Sequence, residues 1–248
     1  MKSGFVNIFG KPNAGKSTLL NALMGEKLAI VSHKVQTTRH RIRGILTGEG
    51  YQAIFSDTPG IIEPRYRLHE KMMDSVKLAV QDADLALLLM DGREDPEEQD
   101  RLFESLNLKA PALVVVNKTD RIPEEKLDEL LRFFRDKKYA GEVIGISAMK
   151  KTNTDRLLER IIHWLPEGEP FFDGEDLTDL PVKFFAGELI REKIFTLYED
   201  EIPYQSTVLV QEYKEKETLT KIQADIIVQR ESQKGILLGE GGKMIRKL

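Results

Sequence analysis

Residues 10–17, GKPNAGKS, follow the pattern GxxxxGK[ST] and constrain the fold more than any other feature of this chain. An apolar segment that favours a strand, residues 5–9, precedes the pattern, and a segment that favours a helix follows it. Glycines in such a loop let backbone N–H groups point at phosphate oxygens, and the positive end of the helix adds to the attraction. The pattern therefore predicts a strand, a phosphate-binding loop and a helix.

Short apolar segments alternate with helical patterns through the first 165 residues. Their runs of Val, Ile and Leu lack a polar alternation, which is typical of strands that are covered on both faces. Strands that alternate with helices form a mostly parallel sheet. We therefore predict an α/β fold of the P-loop NTPase type, with strands at 5–9, 51–56, 84–90, 112–117 and 143–147.

An acidic stretch broken by Pro and Gly, residues 169–181, predicts a linker between two domains, 1–168 and 182–248. The second domain is expected to be α+β, because helix, strand, strand and helix patterns follow one another. These patterns lie at 187–199, 206–214, 219–229 and 232–238.

The chain has no cysteine and four scattered histidines. This composition excludes disulfides and thiolate metal sites, argues against a zinc enzyme, and fits a reducing, cytoplasmic compartment. No apolar run reaches the roughly 18 residues that a transmembrane helix needs. Association with a membrane surface is neither supported nor excluded, since no long basic amphipathic helix is evident.

The phosphate-binding loop gives the first set of candidate site residues. Lys16 is placed to reach the β and γ phosphates of a nucleotide, and the Ser17 hydroxyl to bind Mg²⁺. The nucleotide contacts assigned to the loop are Gly10, Asn13, Ala14, Gly15, Lys16, Ser17 and Thr18.

Asp57-Thr58-Pro59-Gly60 closes the predicted strand 51–56. At a strand end beside the loop, Asp57 can hold Mg²⁺ through water and the Gly60 N–H can sense the γ-phosphate. The basic segment 33–43 lies between the two motifs, and either Thr37 or Thr38 within it could place a hydroxyl on Mg²⁺.

Asn117-Lys118-Thr119-Asp120 follows the apolar strand 112–117 and favours guanine over adenine. A carboxylate such as that of Asp120 accepts the two N–H donors on the N1 and N2 edge of guanine, and adenine lacks that pair. Asn117 suits the N7 and O6 side of the base, and the stem of Lys118 can lie along it. These residues argue against a P-loop ATPase or small-molecule kinase. The next strand is followed by Ser147, Ala148 and Met149, where a backbone N–H could meet O6.

Together the motifs GKPNAGKS, QTTRHRIRG, DTPG, NKTD and SAM, in this order, resemble those of the Era GTPases. The resemblance continues into FFAGELIREKIF and GILLGEGGKMIRKL and covers nearly the whole chain. It implies a GTPase domain joined to a type II KH domain. It also implies a protein that acts in assembly of the small ribosomal subunit and contacts the 3′ end of its ribosomal RNA. It also implies that the Mg²⁺ threonine is Thr38, with Lys16, Thr38 and Gly60 as the catalytic set.

Relatives with Asn at position 13 can bind K⁺ beside the phosphates, which implies a second cation site at Asn13. The alternative is that Asn13 only shapes the loop. Ras-like GTPases carry a glutamine after the DxxG glycine, whereas this chain has Ile61, which cannot hydrogen-bond the attacking water. We therefore expect slow intrinsic turnover. An RNA-assembly scaffold that uses GTP as a conformational ligand, with incidental turnover, stays open as the alternative function.

The segment near the end of the chain fits the GXXG loop with which KH domains clamp single-stranded RNA. The RNA-binding residues expected there are Gly239, Glu240, Gly241, Gly242, Lys243 and Arg246. A type II KH domain continues with a further helix and strand, but this sequence stops at Leu248. We therefore expect a truncated KH domain. We also expect the protein to be a monomer.

Overall fold

A computed structural model describes residues 1–34 and 37–248 of the chain. Two compact units make up the described residues: one holds 1–29 and 38–179, and the other holds 30–34, 37 and 180–248. Positions 35 and 36, within the basic segment 33–43, lie outside the described residues. No helix in the described part of the chain is long and apolar enough to cross a lipid bilayer.

The first unit is built on a six-stranded sheet. Its strands are β1 (Lys2–Phe9), β2 (Ile42–Gly48), β3 (Tyr51–Asp57), β4 (Leu85–Asp91), β5 (Ala112–Asn117) and β6 (Ala140–Gly145). They lie in the order β2-β3-β1-β4-β5-β6, and β2 is antiparallel to β3 while the other neighbouring pairs are parallel. The mostly parallel α/β sheet predicted from the sequence is confirmed.

Helices connect these strands. They are α1 (Lys16–Met24), α2 (Arg67–Gln81), α3 (Pro96–Ser105), α4 (Glu124–Arg135) and α5 (Thr154–Trp164). The start of α3 shows how the sequence sets a boundary: the Asp95 carboxylate accepts a hydrogen bond from the Glu97 N–H at 3.1 Å, and Pro96 occupies the first helical position.

The core of the first unit lies around β4 and β5. Every residue of these two strands is buried, and the cluster on one face includes Phe103 from α3 and Phe134 from α4. Burying one such large apolar side chain stabilises the fold by about 1.5–3 kcal/mol. Because the central strands are parallel and covered on both faces, their carboxyl ends meet at one edge of the sheet. The predicted site motifs lie at that edge.

One strand was missed, and two others begin three residues earlier than predicted; the first of these is β1, which begins at Lys2 rather than at 5. β2 was missed because its apolar residues are interrupted by Arg43, Gly44 and Thr47, a pattern that fits an antiparallel edge strand. β6 begins at Ala140 rather than at 143, because this edge strand opens with partly exposed residues that break the apolar run.

Part of the predicted linker has fixed partners in the first unit. Gln52 on β3 is fully buried. Both the nitrogen and the oxygen of its side-chain amide bind the backbone of residues 171 and 172. Its Nε2 donates to the Phe172 carbonyl at 2.9 Å, and its Oε1 accepts from the Phe171 and Phe172 N–H groups at 2.7 and 3.0 Å. One amide thus holds the acidic segment in place.

In its described residues, the second unit has a two-stranded antiparallel sheet and three α-helices. The elements are α6 (Val182–Leu197), α7 (Ile202–Gln205), β7 (Ser206–Lys216), β8 (Leu219–Val228) and α8 (Glu231–Leu238). Ile194, Tyr198, Ile202 and Leu237 form its core, and the Tyr198 hydroxyl donates to the Leu237 carbonyl at 2.8 Å. The predicted helix, strand, strand and helix are all present, although α6 begins at Val182 rather than 187.

Candidate nucleotide-binding site

The phosphate-binding loop turns sharply between β1 and α1. Gly15 precedes α1 with φ +103°, a left-handed conformation that glycine adopts at little cost. A Cβ atom here would lie 2.3 Å from Asn117 Nδ2, so the position also needs glycine for space. The turn leaves the first N–H groups of α1 without helical acceptors, which makes this helix end suited to an anion.

Lys16 is buried inside the loop. Its ammonium donates to the Lys11 carbonyl at 2.8 Å and to the Gly10 carbonyl at 3.1 Å. Burial lowers the pKa of Lys16 from its ordinary value to about 8, and the negative charges of Asp57 and Glu94 act in the opposite direction. Phosphate oxygens are stronger acceptors than carbonyls, so this ammonium is suited to move onto a nucleotide.

Three side-chain oxygens meet beside Lys16. Asp57 Oδ2 accepts from Ser17 Oγ at 2.6 Å and from Thr38 Oγ1 at 3.0 Å, and the two hydroxyls are 3.0 Å apart. The structure thus places Thr38 at the site. Thr37 belongs to the second unit, where its backbone carbonyl accepts a hydrogen bond from the guanidinium of Arg191.

The chemistry of this group fits a divalent cation. Asp57 is fully buried and its Oδ1 has no hydrogen-bond partner in the described structure, a costly arrangement that a bound cation would relieve. Burial raises the pKa of Asp57, while the charge of Lys16 and the hydroxyls of Ser17 and Thr38 oppose that shift. Hard oxygen donors of this kind are the ligands that Mg²⁺ prefers.

The DTPG segment lies against the phosphate-binding loop. The Ile61 N–H donates to the Gly10 carbonyl at 3.1 Å, and a Cβ atom on Gly60 would lie 2.7–2.8 Å from atoms of Pro12. The side chain of Ile61 packs against the core cluster that includes Met72. Ile61 therefore supports the segment through packing and has no side-chain group that could orient water.

The base-recognition motif is organised by Asn117. Its Nδ2 donates to the Ala14 carbonyl at 2.8 Å, and its Oδ1 accepts from the Ala148 N–H at 3.0 Å. Asn117 therefore joins the phosphate-binding loop to the segment after β6, a role that the sequence analysis did not foresee. The side chain is only 2% exposed.

Asp120 and Lys118 complete the motif. Asp120 Oδ1 accepts from Ser147 Oγ at 2.6 Å, which orients the carboxylate. Lys118 Nζ donates to the Asn13 carbonyl at 2.6 Å. Met149 is 61% exposed beside the backbone of Ala148. The structure thus brings the predicted phosphate, Mg²⁺ and base residues to one edge of the sheet.

One site residue was not singled out by the sequence analysis. Asp91 Oδ2 lies 2.8 Å from Lys118 Nζ, so this carboxylate shares the ammonium with the Asn13 carbonyl. Asp91 ends β4 as Asp57 ends β3. Its position at the carboxyl end of a predicted parallel strand could have identified Asp91 as a site residue from the sequence.

Comparisons with known proteins agree with this geometry. The 50S ribosome-binding GTPase family matches residues 5–118, and the KH domain family matches residues 201–248. GTPase Era of Geobacter sp. strain M21 is 43% identical over 100% of this chain and 84% of its own length. The chain belongs to the Era family of GTPases. GTPase Era of Trichlorobacter lovleyi is 44% identical, again over 100% of this chain and 84% of that protein.

Two solved Era structures share the fold of the whole chain. One is a variant of Aquifex aeolicus Era bound to GDP·AlF4⁻, with a TM-score of 0.94 and 37% identity over 100% of this chain and 86% of that one. The other is Era in complex with MgGDPNP and nucleotides 1506–1542 of 16S ribosomal RNA, with a TM-score of 0.93, 37% identity, and 100% and 85% coverage. The sequence resemblance to Era proteins is thereby confirmed.

The GXXG loop of this Era-family chain follows α8. Gly239, Gly241 and Gly242 have φ of +66°, +59° and +75°, which shows why small residues occupy these positions. The exposed side chains of Glu240 and Lys243 lie 3.6 Å apart, so the lysine offsets the negative charge that Glu240 brings to the loop. Arg246 is also exposed.

Proposed function

We propose that this Era-family protein is a guanine-nucleotide switch that hydrolyses GTP slowly and binds small-subunit ribosomal RNA near its 3′ end. It would act as a monomer in the cytoplasm during assembly of the small ribosomal subunit. The observation that carries the proposal is the meeting of Ser17, Thr38 and Asp57 at hydrogen-bond distances in a chain that also has a KH domain.

The described residues suggest how the site would promote hydrolysis. Ser17, Thr38 and Asp57 would hold Mg²⁺, which neutralises charge on the β and γ phosphates when bound. Lys16 would donate to oxygens of the same phosphates, and the Gly60 N–H would donate to the γ-phosphate. Fixed donors of this kind stabilise the charge of the transition state.

Turnover is proposed to be slow because the side chain at position 61, that of Ile61, has no group that can orient the attacking water. Ile61 is an apolar residue that packs on the core. P-loop GTPases without outside help turn over at about 10⁻⁴ to 10⁻² s⁻¹. We expect a rate in that range for the isolated protein.

The segment before Thr38 supports a coupling between nucleotide and RNA. Of the described residues before Thr38, 30–34 and 37 belong to the second unit, where Lys34 Nζ donates to the Phe195 carbonyl at 2.9 Å and to the Tyr198 carbonyl at 2.6 Å. Thr38, which directly follows Thr37, lies at the nucleotide site. A change in the contacts of Thr38 on hydrolysis would therefore act on its neighbour Thr37, whose carbonyl Arg191 of the KH-containing unit binds.

Asn13 motivates a proposal about monovalent cations. It has φ +62°, and its carbonyl accepts from Lys118. K⁺ bound by its side chain would offset charge that develops on the leaving group. We expect hydrolysis by the wild-type protein to be about tenfold faster in KCl than in NaCl at equal ionic strength, with Asn13→Ala abolishing the difference. Equal rates in the two salts would mean that Asn13 only shapes the loop.

RNA coupling is the test of the proposed function. We expect a short single-stranded RNA from the 3′ end of 16S ribosomal RNA to change GTP affinity by about tenfold, within the usual range of coupling between two sites. Binding of a fluorescent GTP analogue, GDP analogue and ATP analogue, each with and without RNA, measures this effect. Identical affinities with and without RNA would contradict the switch.

Two charge-reversal variants control that measurement. Lys243→Glu, in the GXXG loop, should weaken RNA binding and remove the shift in nucleotide affinity, because it repels phosphates. Lys109→Glu makes the same charge change at an exposed position of the first unit and should leave both unchanged. If RNA shifts nucleotide affinity without any change in turnover, the scaffold alternative, which the apolar Ile61 favours, is the better description.

A further inference from the structure

Asp91 is a buried carboxylate at the end of β4. It pairs in register with Asn117 on β5, and the Gly92 N–H donates to the Asn117 carbonyl at 2.9 Å. The residue is 3% exposed. A charge at such a position is stabilising only when it is paired, so its partners decide its role.

Two cations bind this carboxylate. Lys118 Nζ lies 2.8 Å from Oδ2, while Arg93 donates its Nη2 to Oδ2 at 2.7 Å and its Nε to Oδ1 at 3.0 Å. Burial acts to raise the pKa of Asp91, but the hydrogen bonds from Arg93 and Lys118 outweigh it and hold the pKa well below its ordinary value. Asp91 is therefore ionised at neutral pH.

The ammonium of Lys118 is held between two acceptors. One is the Asp91 carboxylate, and the other is the Asn13 carbonyl of the phosphate-binding loop, at 2.6 Å. Lys118 itself has φ +63°, so its backbone is in a left-handed conformation that fixes the start of the side chain. A lysine side chain that is held at both ends keeps its stem in one orientation before the nucleotide binds. A lysine side chain that is free would lose rotamer entropy when the nucleotide ordered it.

Arg93 gives the carboxylate a separate structural role. Its side chain is 47% exposed and closes the turn after β4 by binding Asp91. Removing Arg93 would loosen this turn but leave the ion pair between Asp91 and Lys118. The two roles of Asp91, holding the turn and holding Lys118, can therefore be separated by substitution.

We propose that Asp91 is a positioning residue for guanine nucleotides, which acts by fixing the ammonium of Lys118 against the phosphate-binding loop. The inference rests on the proposed guanine-nucleotide binding. When Asp91→Asn removes the charge, only neutral acceptors hold the Lys118 ammonium, and its stem is less firmly preorganised for the base. The bound nucleotide then leaves faster, while association changes little.

The test is the dissociation rate of a fluorescent GDP analogue from the full chain. Asp91→Asn should raise this rate by about 10- to 100-fold, and Arg93→Ala by less than threefold. In a Lys118→Met background, Asp91→Asn should add less than threefold, because the group through which it acts is gone. Asp100→Asn is the matched control: it removes the charge of a carboxylate on α3 that pairs with Lys137 and accepts from the Tyr139 hydroxyl. None of these residues belongs to the nucleotide site, so the rate should stay unchanged.

Three results would overturn the inference. They are an unchanged rate in Asp91→Asn, an equal increase in Arg93→Ala, and a full effect of Asp91→Asn in the Lys118→Met background. If Asp91→Asn does not fold, Asp91→Glu keeps the charge but displaces it, and an increase of about threefold or more is expected. A wild-type protein that binds no GDP analogue would instead contradict the proposed function, so the two failures are distinguishable.

Discussion

Asp120→Asn is expected to lower the affinity for GTP by at least about 10³-fold and to make XTP the preferred nucleotide. The carboxylate can accept both N–H donors on the edge of guanine, whereas an amide presents one acceptor and one donor. Its NH2 group then faces the N2 donor of guanine but matches the carbonyl that xanthine has at that position. A site built for a pair of hydrogen bonds rejects a base without them by about 10⁴–10⁵-fold, so an effect of this size is reasonable.

Competition between nucleotides measures this change. GTP, XTP, ITP and ATP displace a fluorescent GDP analogue from the wild type, and a fluorescent XDP analogue from the variant. The Ser147 hydroxyl, which binds Asp120 at 2.6 Å, can also donate to an amide oxygen, so the side chain should keep its orientation. Asp128→Asn, at an exposed position of α4, is the control and should leave the order of affinities unchanged. Loss of GTP binding with no gain for XTP would mean that Asp120 does not contact the base edge.

Much of the nucleotide site could be predicted because its residues lie at strand ends. Asp57 and Asn117 close β3 and β5, and parallel strands bring their carboxyl ends to one edge. β5 is an uninterrupted apolar run up to Asn117, and β3 has three apolar residues, 53–55, at its centre, so the positions of both strands were predicted closely. The arrangement of the motifs in space then follows from the order of the strands.

Partners of individual side chains could not be predicted from motifs. Asn117 suits a guanine base by its chemistry, yet both polar ends of its amide bind loops of the protein. Asp91 belongs to no motif that the sequence analysis recognised, although it binds the lysine of one. Such contacts depend on strand register, which a sequence pattern alone does not determine.

The basic segment before β2 shows the same limit. The sequence shows that this segment is basic but not what its charges bind, and two of its arginines have partners in the first unit. Arg41 donates to Asn7 Oδ1 at 2.9 Å and pairs with Asp82, and Arg43 pairs with Asp179 at 2.6 Å. These partners lie on β1, directly after α2 and in the acidic segment 169–181, and their approach to the arginines depends on the placement of β2, which was not predicted.

Lys16→Met is expected to lower the rate of GTP hydrolysis by about 10³-fold. The substitution keeps the length of the side chain and removes the ammonium that would bind the transferring phosphate, and the loss of one well-placed donor has effects of about this size. Stability should change little, because the variant loses two hydrogen bonds to carbonyls but no longer buries a charge. The pKa of Lys16, lowered by burial to about 8, reflects the cost of that charge.

Single-turnover hydrolysis at saturating GTP, together with a thermal melt of the nucleotide-free protein, tests both parts of this expectation. The melting temperature should stay within about 4 °C of the wild type, the equivalent of about 1 kcal/mol for a domain of this size. Lys11→Met is the matched control in the same loop: the Lys11 side chain pairs with Glu98 at 2.6 Å, and its backbone carbonyl, which binds Lys16, is retained. Its hydrolysis rate should fall by less than threefold. Comparable losses in both variants would mean that general disruption of the loop, rather than the Lys16 ammonium, limits the reaction.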